Sequence, residues 1–138
     1  MKRFSRVIVA ALALVLCFAL CACGNKKYAS RYSSSMMVKK STTNKESISF
    51  GTFSGVYVME FKNTSDEVRI TYNATLEKGN IKVYFDYNDE KSDLFEIGTD
   101  GSVEGKTEAF KSNQTIYVII ESDGKCTGGS FSVALEKA

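Results

Sequence analysis

Residues 68–87 read VRITYNATLEKGNIKVYFDY, and this stretch decides the fold. Its first half carries an apolar side chain at every second position, with Arg, Thr or Asn between them. The apolar positions are Val68, Ile70, Tyr72, Ala74 and Leu76. Alternation resumes at Ile81 after a turn signal in which Gly79 or Asn80 supplies a positive φ. A period of two is typical of half-buried strands, so the stretch predicts two strands joined by a hairpin.

The same pattern continues on both sides of this stretch. Alternating apolar residues occur at 48–50, 57–61 and 131–135, and residues 116–120 form an apolar run that is typical of a strand buried on both faces. No segment has the apolar spacing of a packed helix. We therefore expect seven or eight strands in residues 46–138, forming an all-β, antiparallel β-sandwich of jelly-roll or immunoglobulin-like type. Cys126 has no cysteine partner there and the chain has no Trp, which disfavours an antibody-type domain.

The C-terminal half has a family resemblance that supports this fold. It is carried by Asp93-Leu94-Phe95, by Asp100-Gly101-Ser102, by the run at 116–120 and by the strand at 128–135. These segments resemble the end of bacterial prepeptidase C-terminal domains and related carbohydrate-binding jelly rolls. The chain has Gln114-Thr115-Ile116 where those domains commonly have Gly-Thr before a Tyr.

The N-terminus has the organisation of an export signal. Three bases within the first six residues precede an apolar run at 7–23 that ends in Leu20-Cys21-Ala22-Cys23. This ending resembles the lipobox of bacterial lipoproteins, in which the last cysteine receives diacylglycerol, with acyl chains such as palmitate, and becomes the new N-terminus. The resemblance implies a signal peptide, which we expect to be helical, at 1–22, a lipid on Cys23, and a location on the extracytoplasmic face of the cell membrane.

Other interpretations of the N-terminal signal remain open. Cys21 is a competing attachment site, but it would place bulky Leu20 next to the modified cysteine, so Cys23 is preferred. A plainly cleaved signal and an uncleaved membrane anchor are the remaining alternatives.

Residues 23–45 are predicted to be a basic, flexible tether that follows the lipidated cysteine. They are rich in Ser, Thr, Asn and Lys, contain six bases and no acid, and have no regular apolar period. As a coil, the tether would reach about 75 Å when taut. A small apolar island at 36–38 is expected either to dock on the domain or to start an edge strand. Residues 46–138 are acidic by contrast, with nine basic and sixteen acidic side chains.

Two groups of residues are candidates for ligand binding. Asp86, Asn88 and Glu90 have the spacing of Ca²⁺ ligands but lack the Gly and later Glu of an EF-hand, so a solvated acidic loop is the competing interpretation. Exposed tyrosines could stack on sugar rings or be ordinary sheet residues. The tyrosines considered are Tyr57, Tyr84 and Tyr117.

Cys126 is predicted to be the single thiol of the mature chain. Its neighbour Lys125 could lower the thiol pKa, while the alternative is an inert residue in a loop or edge strand.

The composition limits the possible functions. The chain has no histidine, which removes the commonest general base and zinc ligand and with them Ser-His-Asp and Cys-His catalysis. We assign no catalytic residue and no cofactor, and find no phosphate-binding loop and no basic aromatic face for nucleic acid. The sequence favours a membrane-anchored, non-catalytic β-sandwich that binds an envelope protein, a glycan or another extracellular component. A small Ca²⁺-dependent hydrolase or accessory enzyme, and a purely structural spacer, are the alternatives.

The lipobox makes a prediction for the mature protein. Intact mass of the membrane-extracted chain should correspond to a protein that begins at Cys23 and carries diacylglycerol. A mature chain that begins elsewhere, or one without lipid, would contradict this assignment.

Overall fold

The computed structural model describes residues 27–62, 67–111 and 114–138, and all regular structure in these ranges is β. The strands are β1 (Arg31–Ser35), β2 (Val38–Ser41), β3 (Lys45–Phe61), β4 (Glu67–Lys78), β5 (Ile81–Tyr87), β6 (Glu90–Ile97), β7 (Gly101–Lys106), β8 (Phe110–Lys111), β9 (Ile116–Ser122) and β10 (Cys126–Lys137). Every pairing is antiparallel, which confirms the predicted fold class. The predicted signal helix and the lipobox, Cys23 included, lie outside the described residues. Within the described ranges, no helix is long and apolar enough to cross a membrane.

The strands form two sheets that share the long strand β3. The front sheet has the order β6-β5-β9-β3, and the back sheet has the order β3-β10-β4-β7. β9 and β10 lie end to end along β3, since Glu121 pairs with Val56 and Cys126 pairs with Phe53. β5 and β4 continue along β9 and β10 in the same way. A four-stranded ribbon folded across its middle is a jelly roll, which decides between the two architectures expected from the sequence.

The ribbon folds along a line that is called the bend below. The Gly79-Asn80 turn lies at this bend and does not close the hairpin that the sequence predicted. β4 and β5 are consecutive but do not pair with each other; Gly79 and Asn80 carry the chain from the back sheet to the front sheet. Gly79 has φ +116°, which is accessible to glycine without strain. Its N–H donates to the Thr99 hydroxyl (3.1 Å), and the Asp123 N–H donates to the Asn80 carbonyl (2.9 Å). The turn chemistry was predicted correctly, but it serves a change of sheet.

The core lies between the two sheets and follows the predicted alternation. Tyr72 on the back sheet stacks at 4.7 Å on Phe95 of the front sheet, and Phe95 lies 6.2 Å from Phe131. In β3 the buried positions change phase between Phe50 and Phe53, which is why one strand of 17 residues gave two separate patterns in the sequence. The central run in β9 is buried on both faces as expected, because Ile119 on the outer face is only 3% exposed.

The segment predicted as a tether contains two strands. β1 and β2 lie along β3 from residue 31 to residue 41, so this part of 23–45 belongs to the sheet. β1 and β2 form main-chain hydrogen bonds with the edge of β3. Because these two strands lie exposed at the edge of the sheet, they can form from a polar sequence without an apolar face. The apolar island divides between the two expected roles: Val38 starts β2 and Met37 packs against the core, while Met36 is 85% exposed. From Lys45 onward the described ranges hold eight strands, β3–β10, which agrees with the seven or eight expected there, and β1 and β2 are additional.

The bend can be tested with two glycines of positive φ. A Cβ on Gly79 would lie 2.5 Å from the Cys126 sulfur, whereas a Cβ on Gly124 would meet nothing within 4 Å. We expect Gly79→Ala to lower the free energy of unfolding by about 3 kcal/mol, and Gly124→Ala, which adds backbone strain alone, by about 1 kcal/mol. Urea denaturation measures both, and equal losses would contradict the close packing at the bend.

Candidate binding site beside Asp86

Asp86 is the only polar or charged side chain within the described ranges that is buried, at 2% exposure. Alternation along β5 sends Ile81, Val83 and Phe85 into the core and Asp86 to the outer face of the front sheet. A residue on that face is normally solvated. Asp86 is buried because residues 27–30, called the N-terminal strap below, cross the face above it.

Two strap residues bind the Asp86 carboxylate directly. The Lys27 ammonium lies 3.0 Å from Oδ2 of Asp86 and 2.8 Å from Oδ1 of Asp89. The Tyr28 hydroxyl donates a 2.5 Å hydrogen bond to Oδ2 of Asp86. A buried carboxylate is stable only when it is paired and hydrogen-bonded, and both conditions are met here. Losing either partner would leave a poorly compensated charge.

The pKa shifts of the strap residues follow from the same contacts. The hydrogen bond to Asp89, reinforced by Asp86, raises the pKa of Lys27 above its usual value. The hydrogen bond to Asp86 raises the pKa of Tyr28, since an ionised phenol would face a carboxylate. Both groups therefore keep their protons at neutral pH and remain donors.

Two further contacts place the strap on the front sheet. The Tyr28 ring meets the Tyr117 ring edge-on, with centroids 5.4 Å apart and planes 64° apart. The Ser30 hydroxyl accepts a hydrogen bond from the Val58 N–H at 2.9 Å. The strap then continues into β1, so it is joined to the sheet through both side chains and main chain.

A polar cavity of about 420 Å³ opens beside the strap. Its volume lies in the range of small-molecule sites, which is about 300–1,000 Å³. It is lined by Lys27, Asp86, Asn88, Asp89, Gln114, Thr115 and Tyr117. The lining combines an ammonium, two carboxylates, amides and a hydroxyl with one aromatic ring. This combination of groups suits a neutral ligand rich in hydroxyl groups. The cavity is called the Tyr117 cavity below.

The three residues with calcium spacing are not arranged as metal ligands. Asn88 and Asp89 both have positive φ and form a two-residue turn between β5 and β6, where a longer loop was expected. Glu90 pairs with Tyr87, so the pleat places it on the sheet face opposite Asp86. The Asn88 amide donates to the Lys111 carbonyl at 3.2 Å. The described residues contain no group of three or more acidic or thiol side chains that could hold a metal ion.

The three tyrosines have different environments. Tyr57 is not a surface platform: it is 5% exposed and its hydroxyl donates to Glu46 at 2.6 Å, and burial raises its pKa. Tyr84 is half-buried on the outer face of the front sheet, with the Lys91 ammonium 4.2 Å from its ring centroid. Tyr117 is half-buried on the same face and lines the cavity.

Cys126 has the environment of an inert thiol. It begins the central strand β10 rather than an edge strand and is fully buried, with its sulfur 3.5 Å from the Asn80 carbonyl. Burial raises the pKa of the thiol, the opposite of the effect expected from Lys125.

A second and larger cavity, of about 690 Å³, lies on the outer face of the back sheet. Its lining is mostly Ser, Thr, Asn and charged side chains, such as Thr71, Asn73 and Ser132. The one aromatic residue in it, Tyr72, has its ring stacked on Phe95 in the core. This surface therefore offers hydrogen bonds without an available aromatic ring.

Asp86, Asn88 and Tyr117 were predicted from the sequence as candidate binding residues, whereas the strap was not. Lys27 and Tyr28 belong to a segment whose composition predicts a coil, and their partners lie about 60 positions away in the chain. Gln114 and Thr115 were noted only as a departure from a family pattern. A lone acid at an outward position of a strand otherwise rich in apolar residues was the one available signal.

Comparison with known proteins shows the fold. No family model matches the chain, and no curated protein matches it. The structure is similar to TmCBM61, a module solved in complex with β-1,4-galactotriose, with a TM-score of 0.52, 17% identity, and coverage of 79% of this chain and 88% of that one. A carbohydrate-binding module from Cellvibrio mixtus lichenase 5A, solved in complex with cellotriose, gives a TM-score of 0.41 at 10% identity over 78% of this chain and 90% of that one.

The first of these matches supports the jelly-roll β-sandwich at the level of the fold alone. The resemblance expected from the C-terminal half is thus confirmed at the level of the fold.

The geometry at Asp86 predicts no response to calcium. A site occupied at 100 times its Kd would stabilise the protein by about 2.7 kcal/mol and raise its melting temperature by several degrees. We expect 1 mM CaCl₂ to shift the melting temperature by less than about 1 °C relative to EDTA, because Lys27 already neutralises Asp86. A calcium-dependent rise that Asp86→Asn abolishes would contradict this reading.

Proposed function

We propose that this chain is a non-catalytic saccharide-binding β-sandwich that a lipid on Cys23 holds at the extracytoplasmic face of the cell membrane. The observation that carries the saccharide proposal is the Tyr117 cavity, which combines an aromatic ring with closely spaced donors and acceptors. The ligand class is an oligosaccharide or a glycan chain of an envelope or extracellular component.

The chemistry of the lining suits sugar hydroxyls. Each hydroxyl both donates and accepts, and the cavity offers the exposed carboxylate of Asp89 as an acceptor and the Lys27 ammonium as a donor. Charge-assisted hydrogen bonds of this kind are about twice as strong as neutral ones. The Tyr117 ring adds an apolar surface for the C–H face of a pyranose.

The same lining argues for binding without catalysis. Asp86 and Asp89 share one ammonium, and Asp86 and Glu90, the two carboxylates with calcium spacing, lie on opposite faces of the sheet, where they cannot act on one substrate bond. The chain contains no histidine to serve as a general base. The fold it shares with a module solved in complex with β-1,4-galactotriose supports the same function class.

The anchor proposal rests on the sequence. Leu20-Cys21-Ala22-Cys23 follows a basic start and an apolar run, in the order that a lipoprotein signal requires. Two acyl chains give stable membrane attachment where one gives reversible binding. The membrane is then a permanent partner and the saccharide a reversible one.

The front sheet provides a matched pair of variants for the saccharide site. Tyr117 and Tyr84 are both half-buried on its outer face, but only Tyr117 lines the cavity. Against a panel of oligosaccharides that includes β-1,4-galactotriose, we expect Tyr117→Ala to weaken binding about tenfold, the loss of about 1.4 kcal/mol of ring contact. Tyr84→Ala should change Kd less than about twofold.

Isothermal titration calorimetry measures both variants, and thermal melts check that each remains folded. Equal effects of the two substitutions would contradict the placement of the site. No binding by any member of the panel would contradict the saccharide proposal itself.

A further inference from the structure

We infer that the N-terminal strap mounts the sandwich close against the bilayer, with the turn between β5 and β6 facing the lipid headgroups. This inference rests on the lipid anchor of the proposed function and adds the distance and orientation of the domain. The structure thereby replaces a long tether with a short, fixed connection.

The strap is docked on the sandwich from its first residue onward. Lys27 and Tyr28 are held on one buried carboxylate, and Ser30 is held on Val58 before β1 begins. From Tyr28 onward, contacts to the front sheet and pairing with β3 continue through residue 41. Lys27 is therefore the first of the described residues that is fixed to the sandwich.

The remaining length of chain is set by the sequence. Only residues 24–26 stand between Cys23 and Lys27, so the two α-carbons are four peptide steps apart. Four extended steps span at most about 14 Å, compared with about 75 Å for a free tether of 22 residues. A lipid on Cys23 would thus hold Lys27 within about one headgroup layer of the membrane surface.

The contacts of Lys27 also set the direction of the domain. Lys27 reaches Asp89, in the turn between β5 and β6, whereas Asn80 and Asp123 mark the bend at the other end of β5. The seven residues of β5 separate these two ends by about 23 Å. The turn and the Tyr117 cavity are then proximal to the membrane, and the bend is distal.

Energy transfer to the bilayer tests both distance and direction. A donor dye is placed at position 90 or 125 of the full, lipidated chain by Glu90→Cys or Lys125→Cys; both residues are exposed, whereas Cys126 is buried. Vesicles of phosphatidylcholine and phosphatidylglycerol carry an acceptor lipid. We expect about twofold greater transfer from position 90, because it lies about 23 Å nearer the bilayer.

Variants of the strap complete the design. Lys27→Ala with Tyr28→Ala should free residues 27–30, lengthen the connection to about 28 Å and reduce the difference between the two dyes. Tyr28→Phe, which removes only the hydroxyl, is a milder variant should the double substitution unfold the domain. Lys82→Ala on the same sheet is the control, since Lys82 contacts Asp93 and Tyr84 but not the strap.

The outcomes separate this inference from the one it rests on. Equal transfer from both positions in a lipidated chain, or a difference that the strap variants leave unchanged, would overturn the close mounting and leave the anchor intact. A chain whose mass shows no lipid on Cys23 would overturn the anchor and the mounting together.

Discussion

Continuous pairing across the bend is the constraint on which the rest of the structure depends. β3 passes through both sheets, and the strands beside it must end at the level where it bends, because a shift of one residue would turn every apolar side chain outward. Gly79 lies at this level between β4 and β5, and Gly124 lies there between β9 and β10. The Ser122–Gly55 hydrogen bonds join β9 to β3 at the same level. The two inner faces then close on one core, in which Phe95 meets Tyr72 and Phe131.

The same constraint places the candidate site at the opposite end of the sandwich. At the end of the front sheet away from the bend, the Asn88–Asp89 turn joins β5 to β6, and β9 begins at Ile116. Asp86, Asp89 and Tyr117 meet there, and the strap closes one side. A rigid scaffold with function at the ends of its strands is a common arrangement, since turns and loops vary without disturbing the core. Here the buried Asp86 ties that end to the N-terminus.

Local patterns predicted the strands, while long-range contacts determined the rest. Alternation at Val68–Leu76 and Phe131–Leu135 depends on the pleat alone, and it predicted both the strands and their buried faces. Whether Gly79-Asn80 closes a hairpin or a bend depends on which strands lie beside β4 and β5, which no local pattern specifies. Pairing with β3 fixes β1 and β2, and the contacts with Asp86 fix the strap. A polar segment whose composition predicts a coil is therefore part of the sheet. The calcium spacing was misleading because a two-residue turn reverses the direction of the chain between Asp86 and Glu90.

We propose the Tyr117 cavity, on the front sheet, as the saccharide site, and not the larger cavity on the back sheet. Amide chemical shifts of the isotope-labelled protein, titrated with the tightest oligosaccharide of the panel, test it most directly. We expect shift changes centred on Tyr28, Asp86 and residues 114–117, with the shifts of Thr71, Asn73 and Ser132 unchanged. Changes confined to Thr71, Asn73 and Ser132 would contradict it.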